Sequence, residues 1–190
     1  MRVVGGRFGG RHLRAPRGDK TRPTADRVKE ALFSILGPID GAVVADVFAG
    51  TGALGIEALS RGAARAVFLD PSPQALEVLR DNLASLKLAS PEAVVLSVRA
   101  ERAAAILAEH GPFDLLLLDP PYAQLAIATD VLAAFARAGL LGEGACAVLE
   151  HAAKDEPSPE GWEVDERRRY GDTTLSFFKA TAPSHSEVRR

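Results

Sequence analysis

The chain has a single cysteine, Cys146, so no internal disulfide can form, as befits a reducing cytosol. It also lacks long apolar runs. The start, M-R-V-V-G-G-R-F, offers two valines, too few for a secretory core, and no stretch approaches a membrane span. The four histidines (His12, His110, His151, His185) are scattered and form no metal-ligand spacing, and Cys146 has no second thiol or nucleophile motif beside it. There is no internal repeat, and no low-complexity tract beyond alanine richness. The expectation is a cytoplasmic protein without membrane or metal.

At 190 residues, 47% of them hydrophobic and 25% charged, the chain suits one globular domain with a buried core. Its net charge of −2 hides an asymmetry. Residues 1–29 carry nine Lys/Arg against Asp19 and Asp26, a local charge of +7, leaving −9 on the remainder. A basic arm on an acidic body signals a polyanionic partner, most commonly nucleic acid in a cytosol, although a solubilising tail has the same composition.

Glycine pairs at Gly5-Gly6 and Gly9-Gly10 predict a small hairpin or looped arm with a flexible tip over residues 1–22. A helix over 24–36 follows, with Thr24 as its N-cap and Gly37-Pro38 ending it. From residue 42 strands and helices alternate. Strands are expected at 42–48, 66–69, 93–98, 113–118 and 145–150, and helices at 53–61, 73–86, 103–109 and 126–138. F-D-L-L-L-L at 113–118 is the most apolar of the strands, hence central and covered on both faces. Two further strands, 163–170 and 173–179, joined by Gly171-Asp172, read as an antiparallel hairpin. The fold class is therefore α/β, a mostly parallel doubly wound sheet ending in a hairpin, with residues 23–182 as the main domain and 183–190 as a disordered tail.

Two motifs carry chemistry. D-V-F-A-G-T-G-A-L-G, Asp46 to Gly55, matches G-x-G-x-x-G between a strand and a helix, with Asp70 ending the next strand. The glycines let a ligand approach bare backbone, and Asp70 is placed to accept both ribose hydroxyl hydrogens. A nicotinamide or flavin dinucleotide site reads the same way. Asp46, however, sits at the sheet's carboxyl edge, where an acid suits a cationic ligand end such as a methionine ammonium and is awkward beside a pyrophosphate. Its other reading is a carboxylate capping backbone amides of the turn.

The second motif, Asp119-Pro120-Pro121-Tyr122, follows the central strand. Two prolines remove two amide donors, so a carboxylate and bare carbonyls make a site that only accepts hydrogen bonds. That suits an exocyclic amino group on a nucleobase. Such a nitrogen is a poor nucleophile because its lone pair is delocalised into the ring. Acceptors gripping its N–H bonds stabilise the positive charge that builds during attack. Tyr122 is placed to stack on a base rotated out of its helix.

This arrangement resembles the amino-methyltransferases that use S-adenosylmethionine. The G-G-R-x-x-G-R start, T-R-P-T-A-D-R-V-K-E-A-L-F at 21–33, the glycine segment continued as I-E-A-L-S-R-G-A, and Y-G-D-T near the end together resemble the RsmD family, over residues 2 to about 180. The resemblance implies a Rossmann-like class I fold and methylation of the N2 of a guanine in 16S ribosomal RNA, at position 966 in the usual rRNA numbering, with S-adenosylhomocysteine as product. It puts Asp46, Ala49, Gly50, Thr51 and Gly52 around the methionine and ribose, Asp70 on the ribose hydroxyls and Glu101 at the adenine. At that last place the family more often has Asp or Asn, and here Arg102 adjoins it. Asp119, which also meets the cofactor, carries catalysis with Pro120, Pro121 and Tyr122. Arg7, Arg11, Arg14, Arg17, Lys20, Arg22 and Arg27 contact RNA, with Arg167-Arg168-Arg169 as a second basic edge or a solvated strand face balanced by Glu163 and Glu166. The implied partner is 16S rRNA, the small subunit or its assembly intermediate, met by a monomer. The rivals are a DNA adenine-N6 or cytosine-N4 methyltransferase, which would need a recognition domain not evident here, and a non-catalytic ribosome-assembly binder.

Overall fold

Runs of valine, leucine and alanine build seven strands. The computed structural model describes residues 1–15 and 23–181. The strands are β1 (Val43–Val47), β2 (Arg65–Leu69), β3 (Ala93–Leu96), β4 (Phe113–Leu118), β5 (Leu141–Ala152), β6 (Trp162–Tyr170) and β7 (Thr173–Ala180). The helices are α1 (Pro23–Leu36), α2 (Ala53–Ser60), α3 (Pro73–Ser85), α4 (Ala103–Leu107) and α5 (Leu125–Arg137). One sheet holds all seven strands in the order β3-β2-β1-β4-β5-β7-β6. The first five are mutually parallel, while β7 pairs antiparallel with both β5 and β6, closing the sheet with the expected hairpin.

Each face of the sheet has its own core. On one, Val44, Phe68, Leu115, Leu117, Val148 and Leu175 pack beneath α1, α2 and α3. On the other, Val47, Val67, Leu116, Leu118 and Phe178 pack beneath α4 and α5, where the Trp162 indole N–H donates to the Leu132 carbonyl at 2.8 Å. Covering on both sides explains the unbroken apolar text of β4.

Most boundaries fall within a residue or two of expectation. α1 opens at Pro23, so Thr24 is inside the helix rather than its cap. β5 begins at Leu141, four residues before the expected start. Gly142 and Gly144 obscure this early part, where the pairing with β4 is interrupted by a register shift between Phe113 and Leu115.

Residues 1–15, the described part of the 1–22 arm, form a looped hairpin with a bridge between Arg2 and His12 that lies down on the body. Val3 and Leu13 are buried in the α1–α3 core. Gly6 passes so close to the end of α2 that a Cβ there would lie 1.8 Å from the Ser60 carbonyl oxygen. Arg17, Lys20, Arg22 and the tail 183–190 lie outside the described residues. Among those described, no helix is long and apolar enough to cross a membrane.

Candidate active site

The strand order reverses between β1 and β4: the chain runs outward from β1 to β3, then returns to build β4 and β5 on the other side. The crevice above such a switch point, at the carboxyl ends of parallel strands, is where open α/β sheets bind ligands. Asp46 stands in register with Phe68 of β2 and Leu117 of β4, and Leu118 with Leu149 of β5. Side chains alternate along a strand, so Asp46, Asp70, Asp119 and Glu150 all fall on the α1–α3 face of this one edge.

The glycine turn is braced by two of these acids. Asp46 Oδ2 accepts the Gly55 N–H at 2.8 Å, and the carboxyl is almost wholly buried. A Cβ on Gly55 would meet that same oxygen at 2.9 Å and Phe68 at 2.3 Å, so only glycine lets α2 approach the strands here. The capping reading of Asp46 is thus realised. Burial pushes its pKa up to about 7 against the Gly55 hydrogen bond, with smaller upward pushes from Asp119 and Asp70. Asp70 accepts from the Gly50 N–H at 2.9 Å and the Ser72 N–H at 2.8 Å, which aligns the turn with the start of α3. Gly52 has φ +84°, and a Cβ there would lie 2.3 Å from Leu79 Cδ1. Ahead of Gly50, by contrast, a Cβ would meet nothing within 4 Å, so bare backbone faces open space. Phe48, between Asp46 and this turn, is held at φ +70°, a strained conformation for a bulky residue and one no sequence signal announces. Asn82 of α3, also missed from sequence, is buried and donates to the Thr51 carbonyl at 3.0 Å and the Arg14 carbonyl at 3.1 Å, tying the turn to the N-terminal hairpin.

The proline loop supplies the other wall. The Gln124 N–H takes the Pro121 carbonyl at 2.7 Å, whereas among the described residues no backbone amide donates to the Pro120 carbonyl. Tyr122 is 57% exposed, and its hydroxyl meets Thr173 Oγ1 at 3.0 Å, anchoring the ring's far end to the start of β7. Asp119 is open to solvent but backed by protein, and that packing raises its pKa to about 6. Glu150, which the sequence reading did not single out, is driven further, to about 8, by burial and then by the Asp119 charge. The two titrate as a pair. Among the described residues, no hydrogen bond or cation offsets the burial of either carboxyl.

Not every expected site residue joins this cluster. Glu101 lies in a 3-10 turn preceding α4, exposed and paired with Arg99 at 3.1 Å, which lowers its pKa. It lines a separate groove of about 350 Å³ with Ile127 and Asp130 of α5. On the N-terminal hairpin Arg7 pairs with Glu92, Arg14 pairs with Asp81, and Arg11 donates to the Ser85 carbonyl at 3.0 Å. Arg27 is exposed on α1. On β6, Arg168 pairs with Glu166, Arg169 donates to the Gly171 carbonyl, and Arg167 to the Pro157 carbonyl.

These parts fit S-adenosylmethionine better than a dinucleotide. An edge of acids and acceptors with an open glycine backbone suits an ammonium, a sulfonium and ribose hydroxyls, and repels a pyrophosphate. Comparison with known proteins gives the fold and the family. The fold is that of the class I S-adenosylmethionine-dependent methyltransferases. The solved structure of yhhF from Escherichia coli superposes with a TM-score of 0.81 at 33% identity, covering 96% of this chain and 98% of that one. YlbH of Bacillus subtilis (strain 168) is 40% identical over 184 residues, 94% of this chain and 98% of its own. Ribosomal RNA small subunit methyltransferase D of Escherichia coli (strain K12) is 34% identical over 192 residues, 100% of this chain and 83% of its own. The family model described as Conserved hypothetical protein 95 matches residues 1–179, and the chain belongs to that family, the RsmD family its motifs resemble.

Proposed function

We propose that this protein methylates ribosomal RNA, and specifically the exocyclic N2 of a guanine in 16S rRNA of the position-966 type, with S-adenosylmethionine as donor. The observation that carries the reading is the acceptor-only wall of Asp119 and the Pro120 carbonyl, with Tyr122 anchored beside it and the glycine turn opposite. The name of the Escherichia coli relative, a ribosomal RNA small subunit methyltransferase, supports the RNA substrate.

When bound, S-adenosylmethionine supplies an electrophilic methyl carbon, which the amine lone pair takes while sulfur keeps the bonding pair. Ala49 to Gly52 and Asp70 hold the methionine and ribose portions, and Asp46 adds negative charge behind the turn. The Asp119 carboxylate and the Pro120 carbonyl accept the two N–H bonds of the guanine amine, localise its lone pair and stabilise the charge that grows on nitrogen, which then releases one proton to solvent by way of the Asp119 carboxylate. Tyr122 stacks on the base and keeps its plane fixed. Holding two substrates in line supplies much of the barrier lowering, so the reaction needs neither metal nor covalent enzyme intermediate. The hairpin arginines, with Arg17, Lys20, Arg22 and Arg27, grip phosphates of 16S rRNA or of a small-subunit particle, and a cytoplasmic monomer suffices.

Labelled S-adenosylmethionine, offered with 16S RNA, partly assembled particles, intact subunits and DNA, tests this directly. Label should enter one guanine N2 in an RNA-containing substrate, and Asp119→Ala should cut transfer by at least about 100-fold while S-adenosylhomocysteine still binds. Labelling of DNA amines alone, or full turnover by the variant, would refute the reading.

A further inference from the structure

Glu150 has no part in the reaction described so far, yet it stands beside Asp119. The register of β4 with β5 puts the two carboxyls at the ends of neighbouring strands and on one face. Glu150 is only partly covered, so a ligand in the crevice reaches it. It shares its face with Ala152, whose cross-strand partner is Thr173, the residue that holds the Tyr122 hydroxyl. The ring expected to stack on the base and both carboxyls therefore border one space.

Resting on the guanine-N2 reading, the geometry assigns Glu150 a specificity role: its carboxylate accepts the ring N1–H of the target guanine while Asp119 holds the neighbouring amine. Guanine presents N1–H and the N2 amine side by side, both donors. Adenine and cytosine carry a ring lone pair beside their amines, at N1 and N3 respectively. Above about pH 8, where Glu150 is ionised, a carboxylate facing that lone pair gains no hydrogen bond and stays desolvated. The second acid thus turns a wall that welcomes any nucleobase amine into one that selects guanine.

The charged groups around Glu150 are consistent with this role. Asp119 faces it from the loop after β4, and Asp46 of β1 lies beyond. Arg168 of β6 occupies the same cross-strand row, separated by Leu175 of β7, and is paired with Glu166. His151, next along β5, points to the opposite face and meets Ser176 Oγ at 2.7 Å. Two repelling acids with no cation beside them among the described residues are best relieved by a ligand that brings two donors.

The test replaces the target guanosine in an RNA fragment, at the nucleotide mapped with labelled donor, by 2-aminopurine. That base keeps the amine and N3, lacks O6 and exchanges N1–H for a lone pair, so the part of any preference that depends on Glu150 is the N1 contribution. Assayed above about pH 8, where Glu150 is a carboxylate, wild-type protein should favour guanosine by roughly 10- to 100-fold in kcat/KM, the worth of one hydrogen bond to a charged group. Glu150→Gln, whose amide can donate to the lone pair, and Glu150→Ala, which offers nothing, should both lose most of that preference. The 2-aminopurine fluorescence gives a binding readout independent of turnover, and it should show the Gln variant binding the analogue more tightly relative to guanosine RNA than wild type does. Unchanged S-adenosylhomocysteine affinity and a cooperative thermal unfolding transition verify that the variants are folded. A wild-type preference retained in either folded variant overturns the assignment. Failure of wild-type protein to methylate any RNA guanine overturns the guanine-N2 reading instead.

Discussion

Two sets of acids packed against protein lie on the α1–α3 side of the sheet, and the chain treats them in opposite ways. Glu57 of α2 is fully buried and fully used. It accepts the Val4 N–H at 2.7 Å, the Gly5 N–H at 2.8 Å and Arg61 Nε at 2.9 Å, with Lys29 Nζ at 3.5 Å. Lys29 is itself buried, its pKa lowered by that burial and raised back in part by Glu57, and it donates to the Arg2 carbonyl at 2.6 Å. Among the described residues Asp119 and Glu150 have no such partners, and their charges repel. A satisfied charge fastens the N-terminal hairpin to the body, while the unsatisfied pair keeps its lone pairs for a ligand. Burial alone does not separate structure from function here, but partnering does.

Glu57→Ala is the sharpest way to break this contrast. It strands the Lys29 ammonium and frees two buried amides at once, for a loss of about 3–5 kcal/mol in unfolding free energy. Denaturant titration measures it. A loss below about 1 kcal/mol would mean the network contributes no more than a surface pair.

The acidic edge should respond with the opposite sign. Asp46, Asp119 and Glu150 have pKa values raised above their unfolded ones, so the folded protein binds their protons more tightly. Their part of the stability is then greatest below the unfolded carboxyl range and falls as pH climbs toward about 8, the upper of these values. Glu150→Gln removes the charge that repels Asp119. The variant should match wild type near pH 3, where Glu150 is protonated in both states, and exceed it increasingly up to about pH 8. Parallel stability curves for the two proteins would show that Glu150 does not feel its neighbour.

Much of this architecture was legible in the chain because its signals are local. The apolar run of β4, the Ser72-Pro73 start of α3 and the Gly171-Asp172 turn each specify their own element. The glycine turn and D-P-P-Y were equally plain, since backbone geometry demands those residue types. What escaped depends on tertiary partners. Glu150 reads as an ordinary end of a strand until β4 is laid beside β5. Glu57 reads as a charge within I-E-A-L until the hairpin delivers two amides to it, and Asn82 as a polar residue in α3 until Thr51 and Arg14 arrive. The strain at Phe48 has no residue-type signature. The charge asymmetry suggested an arm, but only the burial of Val3 and Leu13 shows that it is stapled down.

That stapling sets up the smallest and most discriminating effect. Arg7 and Arg14 neutralise Glu92 and Asp81 on the surface, and the Arg7 guanidinium also lies over the Phe8 ring at 4.6 Å. Exposed pairs of this kind contribute about 0–1 kcal/mol, so Arg7→Ala and Arg14→Ala should barely move the unfolding transition. An RNA phosphate competes for the same guanidinium at little cost, because the pair it displaces is weak and the freed carboxylate returns to water. Each arginine that makes the exchange releases counterions from the RNA. Its removal should therefore flatten the slope of log affinity against log salt by about 0.7 to 0.9. Equilibrium binding of 16S rRNA fragments at several salt concentrations reads that slope. If it stays unaltered while the stability also stays put, the hairpin arginines are balancing the acidic body rather than gripping a polyanion, and RNA contact must be sought elsewhere on the crevice rim.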